Sequence, residues 1–97
     1  MIVIRNVFRC KPGQAKKLVE MFKATITTSG GAMGPTRILT DLSAPFWTVV
    51  FENEAESLAA WETQFNTVGS AESEARKHMA GYMDLVEGGH REIFKIE

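Results

Sequence analysis

Hydrophobic and polar positions alternate at the start and at the end of this 97-residue chain. Over residues 2–10, one side of the alternation carries Ile2, Ile4, Asn6, Phe8 and Cys10, and the other side carries Val3, Arg5, Val7 and Arg9. Residues 90–97 alternate similarly, with Glu92, Phe94 and Ile96 opposite Arg91, Ile93 and Lys95. Because successive side chains of a strand point to opposite faces, this pattern predicts a first and a last β-strand.

Two further strands are predicted in the middle of the chain. Residues 36–42 and 46–52 form two strand-like runs, and Ser43, Ala44 and Pro45 separate them. A short connection of this kind is typical of a β-hairpin. We therefore expect these two strands to pair with each other.

Apolar residues recur at helical spacing between the strands. The first helix is expected over residues 12–27, because Pro12 suits a first helical turn and an apolar stripe follows it. The second helix is expected after Asn53, a residue type that caps helices, with Glu56 in the reciprocal capping position. Ser70 can cap a further helical piece, which is expected to end before Gly88 and Gly89.

The predicted order is therefore β, α, β, β, α, β. Right-handed crossovers arrange this order as a ferredoxin-like α+β fold, a four-stranded antiparallel sheet with both helices on one face. Residues 1–97 are expected to form a single domain. The other face of the sheet would expose apolar residues to water, so we expect a second copy of the chain to cover it in a homodimer.

Composition and charge exclude several classes of function. The formal net charge is -1, which gives no field that would attract nucleic acid. No apolar run approaches a membrane span and no secretory signal pattern stands at the start, so a cytoplasmic protein is expected. Cys10 is the only cysteine and there are two histidines, which is too few ligands for a Cys/His zinc site. No metal is predicted.

Two segments resemble the dimeric α+β barrel superfamily, which includes antibiotic-biosynthesis monooxygenases, NIPSNAP-like proteins and stress-responsive barrel proteins. The first segment is VFRCKPG, at residues 7–13, followed by an amphipathic helix. The second is the passage from FWTVVFEN, residues 46–53, to ESLAAWE, residues 56–62. The resemblance implies a dimer with a cavity between sheet and helices.

In the haem-degrading branch of that superfamily, an asparagine on strand one and a tryptophan on helix two border the haem. Asn6 and Trp61 stand at the matching places here. The branch also uses an axial histidine, and Ala71 stands at that position. Haem degradation is therefore the less favoured function, and we predict no cofactor. The alternative role for Trp61 is a core anchor on the apolar stripe of its helix.

Glu74, His78 and Tyr82 follow one another at four-residue intervals, which would place them on one side of a helix. A carboxylate that orients an imidazole provides a general base for cofactor-free oxygenation or proton abstraction. Asn6 and His78 are therefore the candidate catalytic residues. The alternative is that His78 is a half-buried histidine whose hydrogen bond is satisfied by a neighbour.

The sequence leaves two functions open. In the first, the barrel cavity takes an apolar or aromatic small molecule, and the protein acts as a cofactor-independent monooxygenase-like enzyme. In the second, the protein is a non-catalytic ligand-binding or stress-related barrel. The expected ligand-binding residues are Phe8, Trp47, Trp61, Glu74 and Tyr82, with Met79 and Met83 beside them. A cavity that binds a molecule is favoured over catalysis.

Overall fold

The computed structural model describes residues 1–70 and 72–97, and within them it contains four strands and three α-helices. The elements follow the chain as β1 (Ile2–Cys10), α1 (Ala15–Ser29), β2 (Thr36–Thr40), β3 (Thr48–Ala55), α2 (Leu58–Val68), α3 (Glu74–Lys77), a 3₁₀ turn (Tyr82–Leu85) and β4 (Val86–Lys95). The predicted α+β fold of ferredoxin-like order is confirmed. None of the described helices combines the length and hydropathy that crossing a bilayer requires.

The four strands form one sheet in the order β2-β3-β1-β4, and every neighbouring pair is antiparallel. Residues directly opposite each other share a face of the sheet. Asn6 lies opposite Phe51 on β3 and Arg91 on β4. These three side chains therefore point to the face that the helices cover, here called the helix face. Arg5 and the residues opposite it point to the other face, here called the open face.

The helices pack on the sheet to different depths. α1 buries Leu18 and Phe22 in a core with Val49 and Phe51 of β3, which fixes this helix against the sheet. α2 buries no residue, and its Phe65 is 50% exposed. The open packing of α2 leaves space above β1 and β4.

Two predicted boundaries are wrong because residues with left-handed backbone interrupt the chain. The first helix begins at Ala15 rather than at Pro12, since Gly13, at φ 80°, belongs to a turn in which the Gln14 N–H donates to the Lys11 carbonyl. β3 begins at Thr48 rather than residue 46, because Trp47 has a φ of 64°.

The predicted helix caps were also misplaced. Asn53 lies inside β3, and Ser57 caps α2 by accepting the Ala60 N–H at 3.1 Å. Ser73 caps α3 in place of Ser70, accepting the Arg76 N–H at 3.3 Å. The residue type alone did not distinguish the true cap from a nearby position, because asparagine and serine each suit several backbone conformations.

The long second helical piece expected before the last strand does not form. α3 ends at Lys77, and Gly81, with a φ of 81°, redirects the chain into the 3₁₀ turn. β4 then begins at Val86, so Gly88 and Gly89 lie inside the strand. A Cβ atom at Gly89 would lie 2.2 Å from the Val7 carbonyl oxygen, so the close approach of β1 and β4 requires glycine there.

Candidate functional site

A cavity of about 570 Å³ lies on the helix face, between β1, β4, α2 and the 3₁₀ turn. This volume is typical of pockets that hold small organic molecules. Its wall is mostly apolar, and the aromatic lining residues are Phe8, Phe22, Phe51, Trp61, Phe65 and Tyr82. Three methionines and three valines make up the rest of the apolar wall: Met33, Met79, Met83, Val7, Val68 and Val86.

The floor of the cavity is a set of aromatic rings in mutual contact. The ring centroid of Phe8 lies 5.2 Å from that of Phe22 and 6.3 Å from that of Tyr82, which meets it edge-on. The Phe22 ring in turn lies 4.8 Å from that of Phe51. Rings at these separations stabilise one another beyond simple burial, so the floor has a defined shape.

One end of the cavity is polar and is organised by Arg91. Its Nε donates a 2.6 Å hydrogen bond to Oδ1 of Asn6. Its guanidinium carbon lies 5.0 Å from the Trp61 ring centroid and 5.4 Å from that of Phe65. A guanidinium over an aromatic face is attracted by the ring's quadrupole. Asn6 on the sheet and Trp61 on α2 are thus joined through one cation.

A second polar group links the sheet to α2. The Asn53 side chain is buried, and its Nδ2 donates to the Met33 carbonyl and to Oε1 of Gln64, each at 3.3 Å. All three of these residues line the cavity. A buried amide with such partners holds the loop before β2 and the helix in place.

The structure brings four of the seven predicted site residues to this cavity: Asn6, Phe8, Trp61 and Tyr82. Their binding and catalytic roles stay predictions. Sequence reasoning missed Arg91, Asn53 and Gln64. The alternation over residues 90–97 placed Arg91 on a strand, but the register that sets it opposite Asn6 is a tertiary feature.

His78 and Glu74 lie outside the cavity wall, contrary to expectation. His78 is exposed at the end of α3, and its Nε2 lies 2.9 Å from Oγ1 of Thr28 on α1. Glu74 is exposed and pairs with Lys77 at 2.7 Å. The Lys77 hydrogen bond and charge lower the pKa of Glu74. The shared helical face with Tyr82 does not exist, because the α-helix ends before the chain reaches Tyr82.

Trp47 also lies away from the cavity. It belongs to the loop between β2 and β3, where its side chain is 42% exposed. Its carbonyl accepts the N–H of Cys10 at 2.8 Å, which ties this loop to the end of β1. The left-handed backbone at this residue turns the chain into β3.

Polar side chains on the open face form a connected set of ion pairs and hydrogen bonds. The buried carboxylate of Glu52 accepts hydrogen bonds from Arg5, at 2.5 Å, and from Arg37. Arg5 also reaches Glu92 at 3.2 Å, and Glu92 lies 3.0 Å from the His90 imidazole. Desolvation raises the pKa of Glu52, but the hydrogen bonds and charges of Arg37 and Arg5 outweigh it and leave the pKa lowered. Hydrogen bonding from His90 is the main cause that lowers the pKa of Glu92.

Other candidate chemistry is limited in the described part of the chain. Cys10 is buried, and burial raises the pKa of its thiol, which disfavours the nucleophilic thiolate. Across residues 1–70 and 72–97, no three His, Cys, Asp or Glu side chains cluster at a spacing that would hold a metal ion. Ala71, where the haem branch has its axial histidine, lies outside the described residues.

Solved structures with this fold come from several bacteria. A NIPSNAP family protein of unknown function from Agrobacterium tumefaciens matches with a TM-score of 0.85 at 16% identity, over 99% of this chain and 87% of that chain. An uncharacterised NIPSNAP domain protein from Burkholderia xenovorans matches with a TM-score of 0.84 at 13% identity, over 100% and 95%. A candidate antibiotic biosynthesis monooxygenase from Chloroflexus aurantiacus matches with a TM-score of 0.71 at 11% identity, over 99% and 92%.

Neither a protein-family model nor a curated protein sequence matches the chain. At identities this low, the structural likeness establishes the fold and leaves the activity open. The predicted resemblance to the dimeric α+β barrel superfamily is confirmed at the level of the fold, since the matching structures are NIPSNAP and antibiotic-biosynthesis-monooxygenase-like proteins.

Proposed function

We propose that this protein binds an apolar or aromatic small molecule in the cavity on its helix face. The observation that carries the proposal is the open, aromatic-lined cavity of about 570 Å³ beneath α2. A helix whose role was to complete the core would bury its aromatic residues, yet α2 leaves Phe65 half exposed and buries no residue. A flat aromatic ligand would fill this space and cover the exposed rings.

Binding is better supported than oxygenation with a histidine base. His78 lies outside the wall, and no carboxylate lines the cavity within the described residues. His90 borders the cavity, but its imidazole Nε2 lies 3.0 Å from Glu92. A general base needs to reach the proton that it removes. Besides His90, the polar side chains at the cavity are the amides of Asn6, Asn53 and Gln64, the hydroxyls of Thr25 and Tyr82, and the guanidinium groups of Arg76 and Arg91.

We also propose that the protein is a homodimer that buries the open face. Val3, Val7, Leu39, Val50 and Phe94 share this face with the ion pairs, and Phe94 is 53% exposed. The adjoining β2–β3 loop adds Leu42 and Phe46, exposed by 103% and 82% of their reference areas. So much exposed apolar surface on a small chain favours a protein partner. A second copy of the same sheet offers a matching surface.

The binding proposal is testable with the two tryptophans, because Trp61 lines the cavity and Trp47 does not. Each indole N–H gives one resolved signal in a proton–nitrogen NMR spectrum. Titration with 2-naphthamide, an uncharged bicyclic probe, is expected to move the Trp61 signal in a saturable way and to leave the Trp47 signal in place.

The variants Trp47→Phe and Trp61→Phe assign the two signals and serve as matched controls. In Trp47→Phe the shifting signal should remain, and binding should be unchanged. If neither 2-naphthamide nor its carboxylate analogue 2-naphthoate shifts the Trp61 signal up to the solubility limit, or if both tryptophan signals shift in proportion to probe concentration without saturation, the cavity does not bind aromatic molecules and the proposal is wrong.

A further inference from the structure

We infer that the ligand of this cavity is an aromatic or apolar carboxylic acid whose carboxylate pairs with Arg91. This inference rests on the proposed binding function and adds the charge of the ligand. It follows from a contrast among the five arginines of the chain.

Three arginines pair with carboxylates of the protein itself. Arg5 and Arg37 hold Glu52, and Arg9 lies 4.0 Å from Glu87. The other two, Arg76 and Arg91, both line the cavity. No carboxylate of the described residues lies within ion-pair distance of either one. Arg76 donates to the Gly69 carbonyl at 2.5 Å. The arginines without an internal counter-charge are therefore the two at the cavity.

Arg91 is held in a geometry that suits a carboxylate. Its Nε donates to Asn6, and its guanidinium carbon lies over the rings of Trp61 and Phe65. Among the described residues, no acceptor takes the N–H groups of its two terminal nitrogens. A guanidinium has five N–H donors, and its parallel pairs match the two oxygens of a carboxylate. Because Asn6 and the rings fix the group before binding, little side-chain freedom is lost when the ligand arrives.

The surroundings strengthen this preference. The described cavity wall contains no Asp or Glu that would repel an anion, and Arg76 adds a second positive charge. The apolar floor around Phe8 accepts the hydrophobic body of the molecule. A neutral ligand would fill the same space but would leave the Arg91 donors to solvent, so the charged form should bind more tightly.

The test compares 2-naphthoate with 2-naphthamide, two molecules of the same size that differ in the charge of one group. The dissociation constants come from titration of the wild-type protein, followed on the Trp61 indole signal. We expect 2-naphthoate to bind roughly tenfold more tightly at low salt. We expect added sodium chloride to weaken 2-naphthoate binding and to leave 2-naphthamide binding unchanged.

Substitution of Arg91 localises the effect. In Arg91→Gln the affinity for 2-naphthoate should fall until the two dissociation constants are about equal. Arg91→Lys keeps the positive charge but loses the paired N–H donors of the guanidinium, so it should retain part of the preference for 2-naphthoate. Arg9→Gln is the matched control, because it removes the same charge from a residue outside the cavity and should preserve the full preference.

The outcomes separate the two proposals. Failure of both probes to shift the Trp61 signal would overturn the binding function itself. Equal binding of the two probes to the wild-type protein would leave that function in place and overturn the inference, as would a preference for 2-naphthoate that persists undiminished in Arg91→Gln.

Discussion

The arginines on the two faces of the sheet have different partners. On the open face, Arg5 and Arg37 converge on the buried carboxylate of Glu52, and the chain satisfies its own charges. On the helix face, Arg91 meets an amide and two aromatic rings, with no described carboxylate in reach. The open face thus pairs its arginines with carboxylates of the chain, and the helix face carries an arginine with no such partner among the described residues.

This difference agrees with the roles proposed for the two faces. An ion pair that is already satisfied can be covered by a protein surface without leaving a charge unpaired, which suits an interface between two subunits. An arginine held by an amide and aromatic rings keeps donors available, which suits a ligand that supplies the missing anion. Under the two proposals, the same type of side chain would serve assembly on one side and ligand recognition on the other.

The largest expected effect concerns the open face and the dimer. Light scattering at micromolar concentration should give a mass of about twice 10.8 kDa for the wild-type chain. Phe94→Lys places a charge among the apolar residues of this face and should shift the mass toward that of one chain. Leu58→Lys is the matched control, because Leu58 is 58% exposed on α2 and should leave the dimer intact.

A wild-type mass of one chain across the micromolar range would contradict the dimer. A dimer that forms equally well in Phe94→Lys would show that the subunits meet through another surface. The proposed role of the open face as the dimer interface would then be wrong.

An intermediate effect is expected from the buried carboxylate of the open face. Glu52→Gln removes the charge that receives Arg5 and Arg37 and should lower the free energy of unfolding by about 2 kcal/mol at pH 7. One hydrogen bond to a charged group contributes about 2 kcal/mol to stability. Arg5 and Arg37 each make one, but the contribution of Arg37 is small because its side chain is 70% exposed and the ion pair is screened by water. Glu54→Gln is the control. Glu54 is the next residue of β3 that points to the open face, and it has no ion-pair partner among the described residues.

The effect of Glu52 should depend on pH in a defined direction. Its pKa is lowered in the folded protein, so the native state binds fewer protons than the unfolded state, and the stabilisation is complete above the ordinary pKa of 4.5. It is lost as the pH falls through the lowered folded pKa. Urea unfolding of wild type and Glu52→Gln should therefore differ at pH 7 and converge in acid, and a difference that grew with acidification would contradict this assignment.

The fold was predictable from the sequence because its signals are local. Alternation around Phe8 and the apolar stripe at Leu18 each report one element, and the order of the elements selects a known sheet arrangement. Boundaries failed where a single residue changed the backbone, as at Trp47, whose positive φ no propensity would anticipate. Asn53 was assigned to a helix cap because its cap propensity is visible and its cross-element hydrogen bonds are not.

The candidate site was predicted in part, for the residues that lie on long regular elements. Asn6 and Trp61 lie at the cavity, as predicted, because each belongs to a regular element whose sequence pattern shows which face its side chain is on. Arg91 was missed because its importance depends on the β1–β4 register, and register is fixed by packing between distant segments. His78 was misplaced because a helical spacing was extended across residues that form a turn and a 3₁₀ segment.

The smallest expected effect is that of His78→Ala, a substitution outside both the cavity and the open face. The imidazole is exposed, and its 2.9 Å hydrogen bond with Thr28 links the end of α3 to α1. Surface substitutions of this kind change the free energy of unfolding by less than about 0.5 kcal/mol. Binding of 2-naphthamide should also be unchanged, because the cavity wall does not include this residue. Thr28→Val removes the same hydrogen bond from the other side and should reproduce the result. A loss of binding in His78→Ala with an unchanged thermal midpoint would restore His78 as a site residue and would mean that the occupied cavity extends as far as its imidazole.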